Sequence, residues 1–149
     1  MERKYLLVPP DEDDEEFTIT SERASVASAT VACWKCHSNI EVICMYCEEG
    51  IVSGESLTQF TVTHVWAVDG ALARQLEPWP TFREVYTEGG ESSCFANHCP
   101  HCGSIQDDFY LHSEPEDPLF DIPHAAPGAI RLTPLLGQVR LSGDESFEI

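Results

Sequence analysis

From Asn39 to Cys47 the apolar side chains fill both phases of a two-residue alternation. Ile40, Val42, Cys44 and Tyr46 lie on one side, and Ile43, Met45 and Cys47 share the other with Glu41. A segment that is apolar on both faces predicts a strand buried on both. Thr58 to Val68 predicts a second strand, with Phe60, Val62, His64, Trp66 and Val68 on one face and Thr61, Thr63, Val65 and Ala67 on the other. Asp69 then stands where a helix cap would, ahead of Ala71, Leu72, Ala73 and Leu76, and Pro78 and Pro80 close that short helix. Thr81-Phe82-Arg83-Glu84 has the spacing of a capping box and predicts a further helical turn, stopped by Gly89-Gly90. Ile105, Phe109 and His112 recur at helical spacing while Phe109 and Leu111 also suit a strand, so the period leaves this stretch open. Asp117-Pro118, Ile122-Pro123 and Ala126-Pro127 punctuate a loop. Ala129 to Leu136 and Gln138 to Leu141 predict a hairpin turning near Gly137, and Phe147 and Ile149 can add a last strand. No internal repeat stands out. The pattern describes a single small α+β domain with more strand than helix.

The amino-terminal part reads differently. Pro9-Pro10 and the six acids Asp11 to Glu16 oppose compaction, and Ser21 to Thr30 is small and polar, although Tyr5 to Val8 suits an edge strand. Residues 1–30 are therefore expected as an acidic, partly flexible segment and residues 31–149 as the folded domain. At 149 residues and 42 % hydrophobic, the chain has material for one core. Its 26 Asp plus Glu against 8 Lys plus Arg give a net charge of -18, and the two lysines, Lys4 and Lys35, form no basic cluster. Direct binding to nucleic acid or to an anionic membrane needs the opposite charge. The apolar runs are too short to span a bilayer, and Met1-Glu2-Arg3-Lys4 lacks the apolar stretch of a secretion signal, so a cytoplasmic protein is expected.

Seven cysteines change the picture, because an odd number in a chain without signs of export points to metal or redox chemistry rather than disulfides. Cys33/Cys36, Cys44/Cys47 and Cys99/Cys102 have C-x-x-C spacing, and two such pairs can enclose a tetrahedral Zn²⁺. Gly103, directly after Cys102, permits the positive φ that folds backbone N–H groups towards sulfur. Cys44 and Cys47 fall inside a strand pattern, where positions i and i+3 face opposite ways. The expected ligands of a structural Zn²⁺ are Cys33, Cys36, Cys99 and Cys102, with 62 residues between the pairs. Cys33, Cys36, Cys44 and Cys47 form a competing set, buried free thiols are the plain alternative, and Cys94 reads as a lone thiol.

The two knuckles resemble a zinc-ribbon site. The string Ala96-Asn97-His98-Cys99-Pro100-His101-Cys102-Gly103, followed by Gln106, Asp108, Phe109, Leu111, His112 and Ser113-Glu114-Pro115, is similar to a motif of small uncharacterised bacterial proteins that also carry an upstream Cys-Trp-x-Cys. The likeness covers mainly residues 31–40 and 93–120. It implies that the first and third cysteine pairs belong together, and it implies no activity.

Two catalytic readings compete with a structural metal. Cys99-Pro100-His101-Cys102 has the form of a thioredoxin-type dithiol, but that fold needs an apolar strand before the motif and a long helix after it. Ser92 to His98 reads as a poor strand, Gly103 follows the motif, and Pro115 limits any helix. A nucleobase deaminase needs a His-x-Glu upstream of its cysteine pair, and His37, His64 and His98 are followed by Ser-Asn, Val-Trp and Cys-Pro instead. His98, His101 and His112 lie near the expected metal, where a full thiolate shell leaves them outer or surface roles. The chain therefore reads as a binding protein rather than an enzyme. The leading expectation is an acidic, zinc-stabilised module that docks on and inhibits a basic protein, such as a toxin met by an immunity protein or a nucleic-acid enzyme. Asp107, Asp108, Glu114, Glu116, Asp117 and Asp121 are the expected contact acids, since they follow a rigid knuckle. The alternatives are a zinc-ribbon accessory subunit with an apolar patch near Trp34, Trp66 or Trp79, a dithiol redox protein, and acidity that only confers solubility.

Overall fold

A computed structural model describes residues 17–86, 93–106, 111, 119, 122–125 and 128–146, the side chains of residues 124, 145 and 146 excepted. Three long strands follow one another, β1 (Ile19–Ala32), β2 (Asn39–Val52) and β3 (Glu55–Val68). Helix α1 (Gly70–Gln75) leads to β4 (Phe82–Tyr86), β5 (Ser93–His98) and β6 (Ile105–Gln106). A 3₁₀ turn at Ile122–His124 precedes β7 (Arg131–Pro134) and β8 (Val139–Ser146). The expectation of an α+β domain is thereby corrected. Of the described residues 61 % are in strands and 8 % in helix, and the fold is nearly all-β.

Strands β1, β2, β3 and β8 close a four-strand antiparallel barrel. β2 pairs with β1 from Ile19↔Val52 to Ala32↔Asn39 and with β3 from Met45↔Val62 to Val52↔Glu55. β8 joins β3 at Val68↔Leu141 and β1 at Ile19↔Leu141. β7 takes the rest of the same edge of β1, at Ser25 to Ser28. The expected hairpin of residues 129–141 is therefore not formed: β7 and β8 lie end to end along β1, and Gly137, at φ 71°, turns the chain between them. Phe147, Ile149 and Tyr5 to Val8 lie outside the described residues.

The doubly apolar pattern of β2 divides two cores. Ile43, Met45 and Cys47 join a cluster with Ile19, Val26, Phe60, Val62, Leu72 and Leu141. Val42, Cys44 and Tyr46 join another with Ala27, Cys33, Cys99, Leu111 and Ile122. β1 supplies both clusters, which corrects the placement of Ser21 to Thr30 outside the core and puts the boundary expected at residue 30 inside a strand. Small side chains such as Ala24, Ser25, Ala27 and Ser28 give a weak hydrophobic signal, yet they fit a strand enclosed on both faces and hydrogen-bonded along both edges.

Local features follow the same logic. Asp69 caps α1 as expected, its Oδ1 accepting from Leu72 N at 2.8 Å. In β3 the expected alternation fails beyond Thr63, because His64 sits at φ 51° and the register with β8 shifts between Thr63 and Ala67. Val65 is buried as a result, and His64 and Trp66 face outward. The helical turn expected at Thr81 to Glu84 is instead the start of β4, paired from Phe82↔Asn97 to Tyr86↔Ser93. Ser93 to His98, a poor strand by composition, is β5 because it lies between β4 and β6. Tertiary pairing overrides local preference in both segments.

Candidate metal centre

Each ligand pair fills the turn of a hairpin, and the two turns match position by position. In the β1–β2 turn, Cys33 N donates to Ser38 O at 2.8 Å and His37 N to Cys33 O at 2.9 Å. In the β5–β6 turn, Cys99 N donates to Ser104 O and Gly103 N to Cys99 O, both at 2.9 Å. The fifth residue takes a left-handed backbone in each, Gly103 at φ 81° and His37 at φ 67°. Glycine does so without steric cost; histidine does not. This geometry turns two N–H groups onto the first sulfur of each pair. Lys35 N and Cys36 N donate to Cys33 Sγ at 3.4 and 3.5 Å, and His101 N and Cys102 N to Cys99 Sγ at 3.3 and 3.4 Å.

The turns meet through their sulfurs. Cys33 Sγ lies 3.6 Å from Cys102 Sγ, Cys36 Sγ lies 3.6 Å from Cys99 Sγ, and all four atoms fall within 4.8 Å of one another. A tetrahedron with Zn–S bonds of about 2.3 Å has edges of about 3.8 Å, so the four sulfurs fit the shell of one metal ion. No pair is bonded, since all seven cysteines are free thiols. The four cysteines expected from the sequence are thus the four that converge, in a zinc-ribbon-like arrangement.

Side chains beyond the pairs support the cluster. Gln106, buried on β6, donates from Nε2 to Cys33 Sγ at 3.5 Å and to Ser104 O at 3.1 Å. The Ser104 hydroxyl lies 2.8 Å from Cys102 Sγ. Trp34 in the first turn donates from Nε1 to Ile105 O at 2.8 Å, tying it to the second hairpin. Asn97, two residues before Cys99, spans Ile43 of β2 with both ends of its amide: Ile43 N donates to Oδ1 and Nδ2 donates to Ile43 O, each at 2.9 Å.

These donors set the acidity of the thiols. Burial pushes the Cys33 thiol up, but the Cys36 and Lys35 N–H groups, the Ser104 hydroxyl and Cys102 together outweigh it and bring it down to about 5. The Ser104 side chain and then its N–H hold Cys102 below the usual thiol range. Burial, against fewer favourable contacts, holds Cys99 above it. A cation bound among four sulfurs favours loss of the remaining protons.

The other candidates stand apart. Cys44 and Cys47 face different cores on β2, so neither can join the other on one ion, and burial pushes Cys47 up to about 11. Cys94 is half-buried on β5 opposite Val85. His98 is buried with Nδ1 3.0 Å from Ala96 O and 3.1 Å from Thr81 O, and His101 is exposed on the second turn. His112 and all six expected contact acids, Asp107, Asp108, Glu114, Glu116, Asp117 and Asp121, lie outside the described residues. Of the tryptophans, Trp34 is 54 % exposed beside the centre, Trp66 packs edge-on against His64, and Trp79 leans on the first core. Among the described residues no helix is long and apolar enough to cross a membrane.

Sequence reasoning missed the supporting roles of Ser104, Gln106, Trp34 and Asn97. One signal was available. Cys33 to Ser38 and Cys99 to Ser104 share the pattern C-x-x-C-x-S, which marks the serine as part of each turn. Comparison of the chain with family models, with curated proteins and with solved structures gave no match.

Proposed function

We propose that Cys33, Cys36, Cys99 and Cys102 hold one structural Zn²⁺ and that the pinned hairpins form an acidic cytoplasmic binding module for a basic protein, which it inhibits. The observation that carries this reading is the convergence of four sulfurs within 4.8 Å from two matching turns. Bound there, Zn²⁺ supplies cross-linking, and four thiolates leave it no open position for water or substrate. The chain's own residues do the rest: Gln106, Ser104 and the turn N–H groups hold the thiolates, while Trp34 and Asn97 fix the second hairpin to the first and to the barrel. Four thiolates and one Zn²⁺ add two negative charges to the -18 of the sequence, about -20 in all, which favours encounter with cationic surfaces.

The dithiol alternative gains no support from the local fold. Cys99 and Cys102 sit in a turn between two strands, without the helix amino terminus that activates such pairs. The accessory-subunit reading has one observation in its favour, the exposure of Trp34 beside Ile105, which is itself 40 % exposed.

Two measurements test the proposal. Native mass spectrometry of the intact chain is expected to show one zinc, lost only on denaturation; a metal-free chain overturns the metal assignment. Capture of partners from the host is expected to recover a basic protein whose affinity falls steeply with added salt. A partner insensitive to salt overturns the inhibitor reading and favours the accessory subunit.

A further inference from the structure

The two turns are matched in backbone but not in the donors that reach their outer sulfurs. Cys102 Sγ lies 2.8 Å from the Ser104 hydroxyl. Ser38 holds the same place in the first turn, yet among the described residues no N–H or O–H reaches Cys36 Sγ, whose one close polar neighbour is Cys99 Sγ at 3.6 Å. The inner sulfurs differ again, for Cys33 and Cys99 are buried and each accepts two N–H groups. Cys36 and Cys102 are both exposed. Hydrogen bonds that stabilise a thiolate take up the charge it uses in attack, so the sulfur with the fewest donors is the strongest nucleophile. Of the two cysteines of the four that are not buried, only Cys36 is without such a donor.

We propose that Cys36 is the modification site of the centre, the thiolate that hydroperoxides oxidise first, with Cys99 as its resolving partner. This rests on the four-cysteine metal assignment above. The Cys36 thiolate attacks one oxygen of hydrogen peroxide; the O–O bond breaks, leaving a sulfenic acid on Cys36 and releasing hydroxide. The Cys99 thiolate then attacks the Cys36 sulfur; the S–O bond breaks, a Cys36–Cys99 disulfide forms and a second hydroxide leaves. Two thiolates have lost two electrons and one peroxide has gained them. A disulfide of about 2.05 Å requires the two sulfurs to approach by only about 1.5 Å from where they stand. Cys33 and Cys102, the two thiolates that remain, are too few for a tetrahedral shell and give up the cation.

The test treats the intact zinc-loaded chain, its zinc first counted by native mass spectrometry, with one equivalent of hydrogen peroxide. A chromogenic indicator follows free zinc, dimedone traps sulfenic acid, and peptide mass spectrometry locates both label and disulfide. Expected are first labelling at Cys36, about fivefold ahead of Cys102 for the difference of one hydrogen bond, a Cys36–Cys99 disulfide when dimedone is omitted, and one zinc freed per disulfide. Ser104→Ala is expected to raise labelling at Cys102 towards that at Cys36. The comparison of Cys36 with Cys102 in the wild-type chain stands without that variant. First labelling at another cysteine, equal labelling of Cys36 and Cys102, a Cys33–Cys36 or Cys99–Cys102 disulfide as the first product, or retained zinc overturns the inference alone. A chain that carries no zinc overturns the metal assignment and this inference with it.

Discussion

Asn97 offers the sharpest test of how the β5–β6 hairpin is joined to the barrel. On β2, pairing with β3 stops at Met45↔Val62, so the outward N–H and C=O of Ile43 have no strand beside them. The Asn97 amide takes the place of that strand, meeting both groups at 2.9 Å from a side chain only 1 % exposed. Asn97→Ala removes both bonds and leaves two buried backbone groups without partners. At about 1–3 kcal/mol for each such group, the variant is expected to lose about 2–6 kcal/mol. Asn97→Leu restores apolar volume but neither bond, and is expected to be destabilised to a similar extent. Asn97→Asp keeps an acceptor for Ile43 N but sets a carboxylate against Ile43 O and is expected to be no better. Urea unfolding of the zinc-loaded chain reads these differences as shifts in midpoint at constant slope. A loss below about 0.5 kcal/mol for Asn97→Ala, the level of an ordinary surface change, would refute the argument. Recovery of stability in Asn97→Leu would refute it as well, by showing that volume rather than hydrogen bonding matters at this position.

The remaining predictions concern single positions. His37→Gly relieves a left-handed backbone at φ 67° and is expected to leave stability unchanged or raise it by up to about 1 kcal/mol, whereas His37→Val lowers it; thermal unfolding of the zinc form separates the three proteins. Gly143→Ala is expected to cost about 1–3 kcal/mol, because the added Cβ would stand 2.7 Å from Val62 Cγ1 and 2.9 Å from Thr63 O, and a stability equal to wild type would show that β8 can shift. Cys47 holds its proton up to about 11 in the folded chain against 9.0 for an ordinary thiol. Its contribution is complete below pH 9 and lost as pH rises towards 11, about 3 kcal/mol in all. Cys47→Ala should flatten that decline in urea titrations run between pH 8 and 11.

The four cysteines that converge were legible from strand geometry together with spacing. C-x-x-C alone admits three pairs, and the alternation of Ile40 to Cys47, together with the resemblance, disfavours the middle one, whose sulfurs the structure places in separate cores. The same alternation identified β2, and the cap at Asp69 located α1. What was illegible depended on partners distant in sequence. Ser21 to Thr30 carries too little apolar surface to announce a central strand, and Phe82 to Glu84 satisfies a helix-start pattern that pairing with β5 overrides. The sequence cue at Gly137 marked a break between strands but not a reversal, since β7 and β8 run on in one direction along β1 on either side of it. The asymmetry of Ser38 and Ser104 about the sulfurs was beyond any pattern, for the two residues occupy the same place in the same motif.

The closed barrel also bears on how the chain is made. β1 is completed along one edge by β8, and Thr18 N donates to Ser142 Oγ across 124 residues of sequence. A ribosome that has released β1, β2 and β3 has released a meander with two open edges; that of β1 waits for β7 and β8 and that of β3 for β8. The two cysteine turns can meet well before that, so metal capture offers a long-range link during the interval in which the edges are exposed. Folding dominated by such distant contacts is slow and prone to edge-to-edge association. If the four cysteines hold zinc as proposed, zinc supply during synthesis is expected to change yield, separately from the stability of the finished protein.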